Sequence, residues 1–259
     1  MRSAVGLLTA VVLLATGCGG GGGETPVAKE PAPAPGDHTL SFTKPGGVKQ
    51  DFLLHAPKDF AASNRYPLIV VFHGSPGTPS QMQSLSGLDD LADREGFITV
   101  YPDLGREPET VGQLLDHLIS KWSIDPKRIH LAGFSMGATA VYGLAHALAS
   151  RVGSVAPVSG IGASETATTG PVSLITFQGG RDAIAGGFPA NNAGWAKAAQ
   201  CEPATVTEAT VDGGRAMRHT ANCKGGAEFV IYDVAQMGHG WPPEASGLIW
   251  EFFKKHPLA

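Results

Sequence analysis

A short glycine-flanked segment, residues 133–137 (GFSMG), matches the pattern Gly-x-Ser-x-Gly around Ser135. A serine hydroxyl is a weak nucleophile until a neighbouring base removes its proton. The segment 128–132 (RIHLA) predicts a strand before this motif, and the alanine-rich stretch at 136–149 predicts a helix after it. A sharp strand-to-helix turn of this kind exposes its serine at the edge of a sheet, beside free N–H groups of the helix. We therefore predict that Ser135 is a catalytic nucleophile.

The base that activates this serine should lie C-terminal to it, because the chain order in such sites is Ser, then acid, then His. Three of the four histidines in that part of the chain are poorly placed. His146 lies inside the predicted helix, His219 lies in a predicted hairpin, and His256 is close to the C-terminus. His239 lies in a glycine-flanked loop directly after the last predicted strand, so we predict that it is the base.

The acid that orients the base should follow another strand end. Asp182 comes shortly after the predicted strand 172–177, in the segment QGGRD, where a tight loop can present a carboxylate to the base. Asp212, in a predicted turn, and Asp233, inside the predicted last strand, are the alternatives. We predict Asp182, because a loop at a strand end can reach Nδ1 of a catalytic histidine.

An ester or amide carbonyl under attack needs N–H donors for its developing negative charge. The backbone N–H of Met136, next to the nucleophile, is the first expected donor of this oxyanion hole. The second should come from the loop that begins at His73 and continues Gly-Ser-Pro-Gly. Pro76 has no N–H, so Ser75 is the expected donor and Gly74 the alternative.

Trp241 lies two residues after His239, and the sequence leaves two roles open for it. Its indole could line the substrate pocket, or it could pack beneath the loop and hold it in place. Neither role, nor the predicted serine chemistry, requires a metal ion or another cofactor, and we expect none.

The three cysteines favour an exported protein. Cys201 and Cys223 form an even pair in the folded part, which predicts a disulfide in an oxidising compartment. Two isolated cysteines without suitably spaced histidines do not make a zinc site. Cys18 follows small residues after an apolar run, which is the position of a lipidated cysteine in bacterial lipoproteins. One departure is Ala15, because a leucine usually stands three residues before that cysteine.

The N-terminal stretch predicts export and a tether. A single positive charge precedes the apolar run 4–15, which is typical of a signal peptide and is too short to span a bilayer. Residues 1–17 are therefore expected to be a signal peptide. Residues 18–37 contain the lipidated Cys18, five consecutive glycines and a proline–alanine segment, a composition typical of a disordered spacer. The folded domain is expected to occupy residues 38–259.

Alternating strand and helix patterns predict the elements that position these residues. The run at 68–73 is continuously apolar up to its final histidine, as in strands buried on both faces, and the segment 172–177 also predicts a strand. Spacing of three and four between apolar residues predicts helices at 81–94, 111–122, 192–200 and 245–255. We predict an α/β fold with a mostly parallel sheet of about eight strands and helices on both faces. The segment 203–226 is expected to be a small surface hairpin whose ends the cysteine pair closes.

Charge argues against a nucleic-acid partner. The formal net charge is −4, and no run of basic residues occurs. The expected partner is a small or oligomeric ester. Contact with a membrane is expected only through the N-terminal lipid, and the protein is expected to be a monomer.

Several of these segments together resemble the polyhydroxybutyrate depolymerase-like esterases, an α/β-hydrolase family related to feruloyl and acetylxylan esterases that includes bacterial lipoproteins. The similarity covers residues 68–243 and includes the HG loop, the IDPKR segment at 124–128, the serine motif, the GRD segment, the cysteine pair and GHGWP at 238–242. The resemblance implies a triad of Ser135, Asp182 and His239, an acyl-enzyme intermediate and no metal. The segments 104–110 and 183–187 depart from the family pattern and shape the substrate cleft, so the family's substrate does not transfer.

The expected function is therefore that of an exported serine carboxylic-ester hydrolase, lipid-anchored to the bacterial cell envelope or otherwise secreted. Two alternatives stay open from the sequence. One is a peptidase similar to prolyl oligopeptidases, which commonly carry a second glycine where this chain has Ala138. The other is a surface lipoprotein that only binds a ligand or partner.

Overall fold

One large sheet organises the chain. The computed structural model describes residues 33–103, 105–162 and 172–258. In these ranges, ten strands form a sheet in the order β1-β2-β4-β3-β5-β6-β7-β10-β9-β8. They are β1 (Gly36–Thr43), β2 (Lys49–Ala56), β3 (Tyr66–Phe72), β4 (Ile98–Asp103), β5 (Ile124–Phe134), β6 (Ser154–Val158), β7 (Ser173–Gly179), β8 (Thr205–Val211), β9 (Gly214–Asn222) and β10 (Glu228–Val234).

The six neighbouring strands β4, β3, β5, β6, β7 and β10 run parallel to one another. The outer strands on both sides, β1 and β2 on one and β9 and β8 on the other, pair in antiparallel fashion. The predicted α/β architecture with a mostly parallel central sheet is thus confirmed, although the sheet has ten strands rather than about eight. The carboxyl ends of the parallel strands meet at one edge, where the loops that follow β3, β5, β7 and β10 converge.

In the part of the chain that the structure describes, six α-helices cover the two faces of the sheet: α1 (Pro79–Ser86), α2 (Leu88–Glu95), α3 (Pro108–Lys121), α4 (Met136–Ala147), α5 (Phe188–Ala198) and α6 (Ala245–Lys255). The helices α3, α4 and α5 contribute to one hydrophobic cluster, and α1, α2 and α6 contribute to the other. Strand β3 shows why its sequence is continuously apolar. Leu68, Val70 and Phe72 enter the first cluster, whereas Ile69 and Val71 enter the second.

The predicted helix at 81–94 is wrong as a single element. Gly87 has φ of 59° and separates α1 from α2. Its N–H donates to the carbonyl of Gln83 and ends α1. A left-handed residue cannot continue a right-handed helix, and glycine adopts this conformation without a steric penalty.

The hairpin at 203–226 is a second correction. Strands β8 and β9 form at the predicted places, but β9 pairs with β10 from Asn222 to Ala216 and so extends the main sheet. The predicted disulfide between Cys201 and Cys223 is present and joins the two ends of this hairpin. The hairpin is therefore part of the central sheet and not a surface excursion.

The predicted signal peptide (1–17), Cys18 and most of the predicted tether (18–37) lie outside the described residues. The end of the tether was placed too late, because Gly36 and Asp37 already pair with Ala56 and His55 as the start of β1. Within the described ranges, no helix is both long enough and apolar enough to cross a membrane.

Candidate active site

The segment 133–137 forms a tight turn between β5 and α4. Ser135 has φ of 55° and ψ of −117°, a conformation that residues with a side chain rarely adopt. A Cβ atom on Gly133 would lie 2.5 Å from the carbonyl carbon of Gly137, and one on Gly137 would overlap the carbonyl oxygen of Phe72. The two glycines are therefore required by the close packing of strand against helix, and the turn projects the serine side chain at the sheet edge.

The three residues predicted to act together form one chain of hydrogen bonds. Nε2 of His239 lies 2.8 Å from Oγ of Ser135, and Nδ1 of His239 lies 2.8 Å from Oδ2 of Asp182. A carboxylate only accepts hydrogen bonds, so Nδ1 is the donor and Nε2 of the neutral imidazole accepts from the serine hydroxyl. This is the arrangement that a serine nucleophile and its general base require.

The acid of this chain is held firmly. The carboxylate of Asp182 is fully buried, whereas the imidazole of His239 is 39% exposed. The other carboxylate oxygen of Asp182, Oδ1, accepts a hydrogen bond from the N–H of Ile184 at 3.0 Å. The N–H of Arg181 donates to the carbonyl of Met237 and so ties the acid loop to the histidine loop. The acid is thus oriented and kept from water, while the base faces the cleft.

The alternative acids and bases lie elsewhere. His256 contacts Glu228 at 3.1 Å, and His219 lies on β9. Asp233 is exposed at the end of β10, and Asp212 lies in the turn between β8 and β9. His146 is in α4, as predicted. The structure therefore brings together only the three residues favoured by chain order and strand ends.

A cleft of about 410 Å³ opens beside Ser135. Its walls come from the loop 73–78, from α1 and from the triad region. The apolar residues of its lining are Pro76, Met82, Leu85 and Phe134. No carboxylate, ammonium or guanidinium group is among the described residues that line it, so the cleft suits an uncharged group.

The loop after β3 lies directly against the nucleophile. A Cβ atom on Gly74 would be 3.2 Å from Cβ of Ser135, and Ser75 lines the cleft. The N–H of Met136 is at the first position of α4, where an N–H has no partner within the helix. Both predicted oxyanion donors, Ser75 and Met136, therefore belong to segments that border the serine.

Arg106 braces this loop, and sequence reasoning missed it. Its guanidinium donates to the carbonyl oxygen of His73 at 2.8 Å, and burial lowers the pKa of this guanidinium from its ordinary value. The imidazole Nδ1 of His73 lies 2.7 Å from the carbonyl of Gly74, a contact within the same loop. A single arginine in the segment 104–110 carries no pattern that would have identified this contact.

Trp241 has the packing role and not the pocket-lining role. It is buried in the cluster beneath α6, and its indole N–H donates to Oγ of Ser246 at 3.0 Å. It is not among the residues that line the cleft. Instead, Phe134 lines the cleft and contacts the imidazole of His239, with ring centroids 5.0 Å apart. The position of Phe134 inside the serine motif could have indicated from the sequence that it lies beside the site.

One cluster of acidic residues and a histidine lies away from the cleft. His55 contacts Asp37 through Nδ1 at 2.8 Å and Asp93 through Nε2 at 3.2 Å. Burial lowers the pKa of His55, but the hydrogen bonds and charges of Asp37, Asp89 and Asp93 outweigh burial and raise it overall. Each ring nitrogen of His55 thus faces a carboxylate oxygen. This cluster joins β1 and β2 to α2.

Comparisons with known proteins agree with the fold and with a resemblance to esterases. No family model matches the chain. A bifunctional acetylxylan esterase/xylanase of Neocallimastix patriciarum is 31% identical over 157 residues, which are 55% of this chain and 23% of that protein. Feruloyl esterase B of Piromyces equi is 26% identical over 245 residues, covering 78% of this chain and 44% of that protein. The chain thus spans less than half the length of these relatives.

Among solved structures, an acetyl xylan esterase from Aspergillus awamori superimposes with a TM-score of 0.67 at 15% identity, over 84% of this chain and 99% of that one. This likeness confirms the α/β-hydrolase fold. The comparisons support the feruloyl esterase-like part of the predicted resemblance, while the depolymerase part stays a prediction. The chain is thus similar in sequence to acetylxylan and feruloyl esterases, and its fold is that of the α/β-hydrolases.

Proposed function

We propose that the chain is a serine carboxylic-ester hydrolase that acts through a Ser135–His239–Asp182 triad and an acyl-enzyme intermediate. The observation that carries this proposal is the continuous hydrogen-bonded chain from the half-buried Ser135 to a fully buried carboxylate. It is supported by the names of the relatives, which are esterases.

The first half of the reaction forms the acyl-enzyme. Oγ of Ser135 attacks the ester carbonyl while Nε2 of His239 takes the hydroxyl proton. The carboxylate of Asp182 stabilises the resulting imidazolium and keeps the ring in the productive tautomer. The carbonyl oxygen becomes an oxyanion, which the N–H groups of Met136 and Ser75 stabilise. His239 then returns its proton to the leaving alcohol, and the ester bond to that alcohol breaks.

The second half of the reaction releases the acid. A water molecule gives a proton to Nε2 of His239 and attacks the acyl-serine carbonyl. Collapse of the second tetrahedral intermediate breaks the bond to Oγ, and the proton returns to Ser135. The uncharged, largely apolar lining of the cleft favours an acyl or alcohol group without charge on this side.

Hydrolysis of p-nitrophenyl esters tests the proposal. Ser135→Ala should lose hydrolysis completely while its circular dichroism spectrum stays that of the wild type, because the substituted side chain is only half-buried. Retained hydrolysis in the variant would refute the assignment. Parallel assays on aminoacyl amides separate an esterase from a peptidase, and amide cleavage faster than ester cleavage would favour the peptidase.

A fluorophosphonate probe separates an enzyme from a protein that only binds a ligand. The probe reacts with a serine only when the base and the oxyanion hole are in place. Labelling of the wild type and not of Ser135→Ala is the expected result. An unlabelled wild type would favour the non-catalytic alternative.

We also propose that the protein is exported and anchored through Cys18. The disulfide between Cys201 and Cys223 supports an oxidising compartment. Metabolic labelling with a radioactive fatty acid in a bacterial host should mark the wild type and not Cys18→Ala. Equal labelling of the two proteins, or none, would refute the anchor.

A further inference from the structure

The buried residue Ser159 contacts the chain next to the catalytic base. Ser159 directly follows β6 and has no exposed surface. Its hydroxyl donates to the carbonyl oxygen of Gly240 at 2.8 Å and accepts the N–H of Gly240 at 3.3 Å. One hydroxyl therefore binds both backbone polar groups of the residue that follows His239.

The same end of β6 also holds the nucleophile. The N–H of Ser135 donates to the carbonyl of Val158 at 3.0 Å. A Cβ atom on Gly160 would lie 2.7 Å from the carbonyl oxygen of Ser135, so the backbone passes directly against the elbow. Residues 158–160 thus touch the backbone of the nucleophile on one side and the backbone of the histidine loop on the other. They touch neither of the reacting atoms.

The histidine loop needs such support because of its composition. His239 stands between Gly238 and Gly240, and glycines give a loop more conformational freedom than any other residue. The backbone of Ser159 is itself rigidly placed. It has φ of 49°, and its N–H donates to the carbonyl of Phe177 on β7 at 3.0 Å. A fixed, fully buried hydroxyl therefore holds a chain segment that its own sequence leaves flexible.

We propose that Ser159 is a positioning residue of the reaction, whose hydroxyl fixes Gly240 so that Nε2 of His239 stays within hydrogen-bonding distance of Ser135. This inference rests on the proposed ester hydrolysis. The residue does not line the cleft, so its loss should change the chemical step and leave substrate binding as it is.

Two variants separate the hydroxyl from the backbone conformation. Ser159→Ala removes the hydroxyl but keeps a side chain in the left-handed region. Ser159→Gly removes the hydroxyl and accepts that backbone without strain. The matched control is Ser154→Ala, at the other end of β6. Ser154 is equally buried, and its hydroxyl bonds Nδ1 of His130 at 2.8 Å, in the core and away from the cleft.

The measurements are kcat and KM for a p-nitrophenyl ester, the rate of fluorophosphonate labelling and the thermal unfolding temperature. For both Ser159 variants we expect kcat to fall on the order of tenfold to hundredfold, as misplacement of a catalytic group by a fraction of an ångström would cause. KM should stay close to the wild-type value, and the labelling rate should fall in parallel with kcat, since both reactions need the base. Ser154→Ala should lose thermal stability but keep its kcat.

Three results would overturn the inference. The first is wild-type kcat in Ser159→Gly, which would show that the hydroxyl is dispensable. The second is an equal loss of kcat in Ser154→Ala, which would show a general effect of core damage. The third is a rise in KM at unchanged kcat. If Ser159→Ala does not fold, Ser159→Gly carries the test. A wild type that neither hydrolyses esters nor reacts with the probe refutes the proposed function itself, and this inference with it.

Discussion

The strained backbone of the nucleophile predicts that one substitution at Ser135 stabilises the protein relative to another. Ser135→Ala and Ser135→Gly both remove the hydroxyl, so both should be inactive. Alanine keeps a Cβ atom in the conformation with φ of 55° and ψ of −117°, whereas glycine adopts it freely. We expect Ser135→Gly to be the more stable of the two.

The size of the difference follows from two opposing terms. A residue with a side chain held in such a sparsely populated region costs about 1–3 kcal/mol, which glycine recovers. Glycine also gives the unfolded chain more freedom, which destabilises the fold by about 0.5–1 kcal/mol. The first term is the larger, so the expected gain in free energy of unfolding is about 1 kcal/mol.

Differential scanning calorimetry and urea unfolding of the two variants measure this gain. For a domain of this size, 1 kcal/mol corresponds to a rise in Tm of about 2–4 °C. A matched pair at Thr139, on the exposed surface of α4, gives the ordinary effect of glycine in this helix. There, Thr139→Gly should be less stable than Thr139→Ala. If the glycine variant at Ser135 is also the less stable of its pair, the turn stores no strain and the reasoning is wrong.

Two further predictions concern the acid and a buried histidine. Asp182→Asn should lower kcat about 10³- to 10⁴-fold, because an amide no longer holds the imidazole in the tautomer that accepts the serine proton. The control is Asp233→Asn, at an exposed position. Equal losses of kcat in the two variants, measured in steady-state assays, would contradict the assignment of Asp182. Burial, followed by the charges of His256 and Arg128, lowers the pKa of His130 to about 3. The unfolded chain therefore binds the extra proton first as pH falls below about 6.5, and this histidine removes about 2 kcal/mol of stability between pH 7 and pH 5. Between pH 7 and pH 5, the free energy of unfolding of His130→Asn, measured with urea, should therefore fall by about 2 kcal/mol less than that of the wild type. Equal falls in the two proteins would show that His130 does not titrate as argued.

The sequence was sufficient to predict which three side chains meet at the candidate site, because each of them follows a strand. Ser135 lies between a strand pattern and a helix pattern, and its flanking glycines are required by packing distances. Asp182 and His239 each come a few residues after an apolar run, in loops rich in glycine. The spacing of apolar residues and the order of Ser, Asp and His along the chain therefore indicated the site, although the three residues are far apart in the chain.

Other features depend on contacts that no local pattern records. Strands β8 and β9 were recognisable as a hairpin, but no local pattern shows whether β9 pairs with β10 at the edge of the sheet or faces solvent. Ser159 and Arg106 act through single hydrogen bonds to distant backbone atoms. Gly87 is different, because an isolated glycine within a helix pattern is a known sign of a helix end, and it could have divided the predicted helix.

The register of the sheet explains why the residues of the candidate site are easier to predict than the cleft. Phe134 pairs with Val158, so β5 and β6 end at one level, and Val158 pairs with Phe177, two residues before the end of β7. Val234 pairs with Gly179, so β7 and β10 end together. Any short loop after these strands must reach the same edge of the sheet. The strand ends alone are therefore enough to predict that Ser135, Asp182 and His239 lie close together. The cleft wall comes instead from the loop after β3 and from α1. Its position depends on where the glycine between α1 and α2 ends the first helix. Substitutions at the strand ends should therefore decide whether an ester is cleaved, and substitutions between residues 73 and 87 should decide which ester fits.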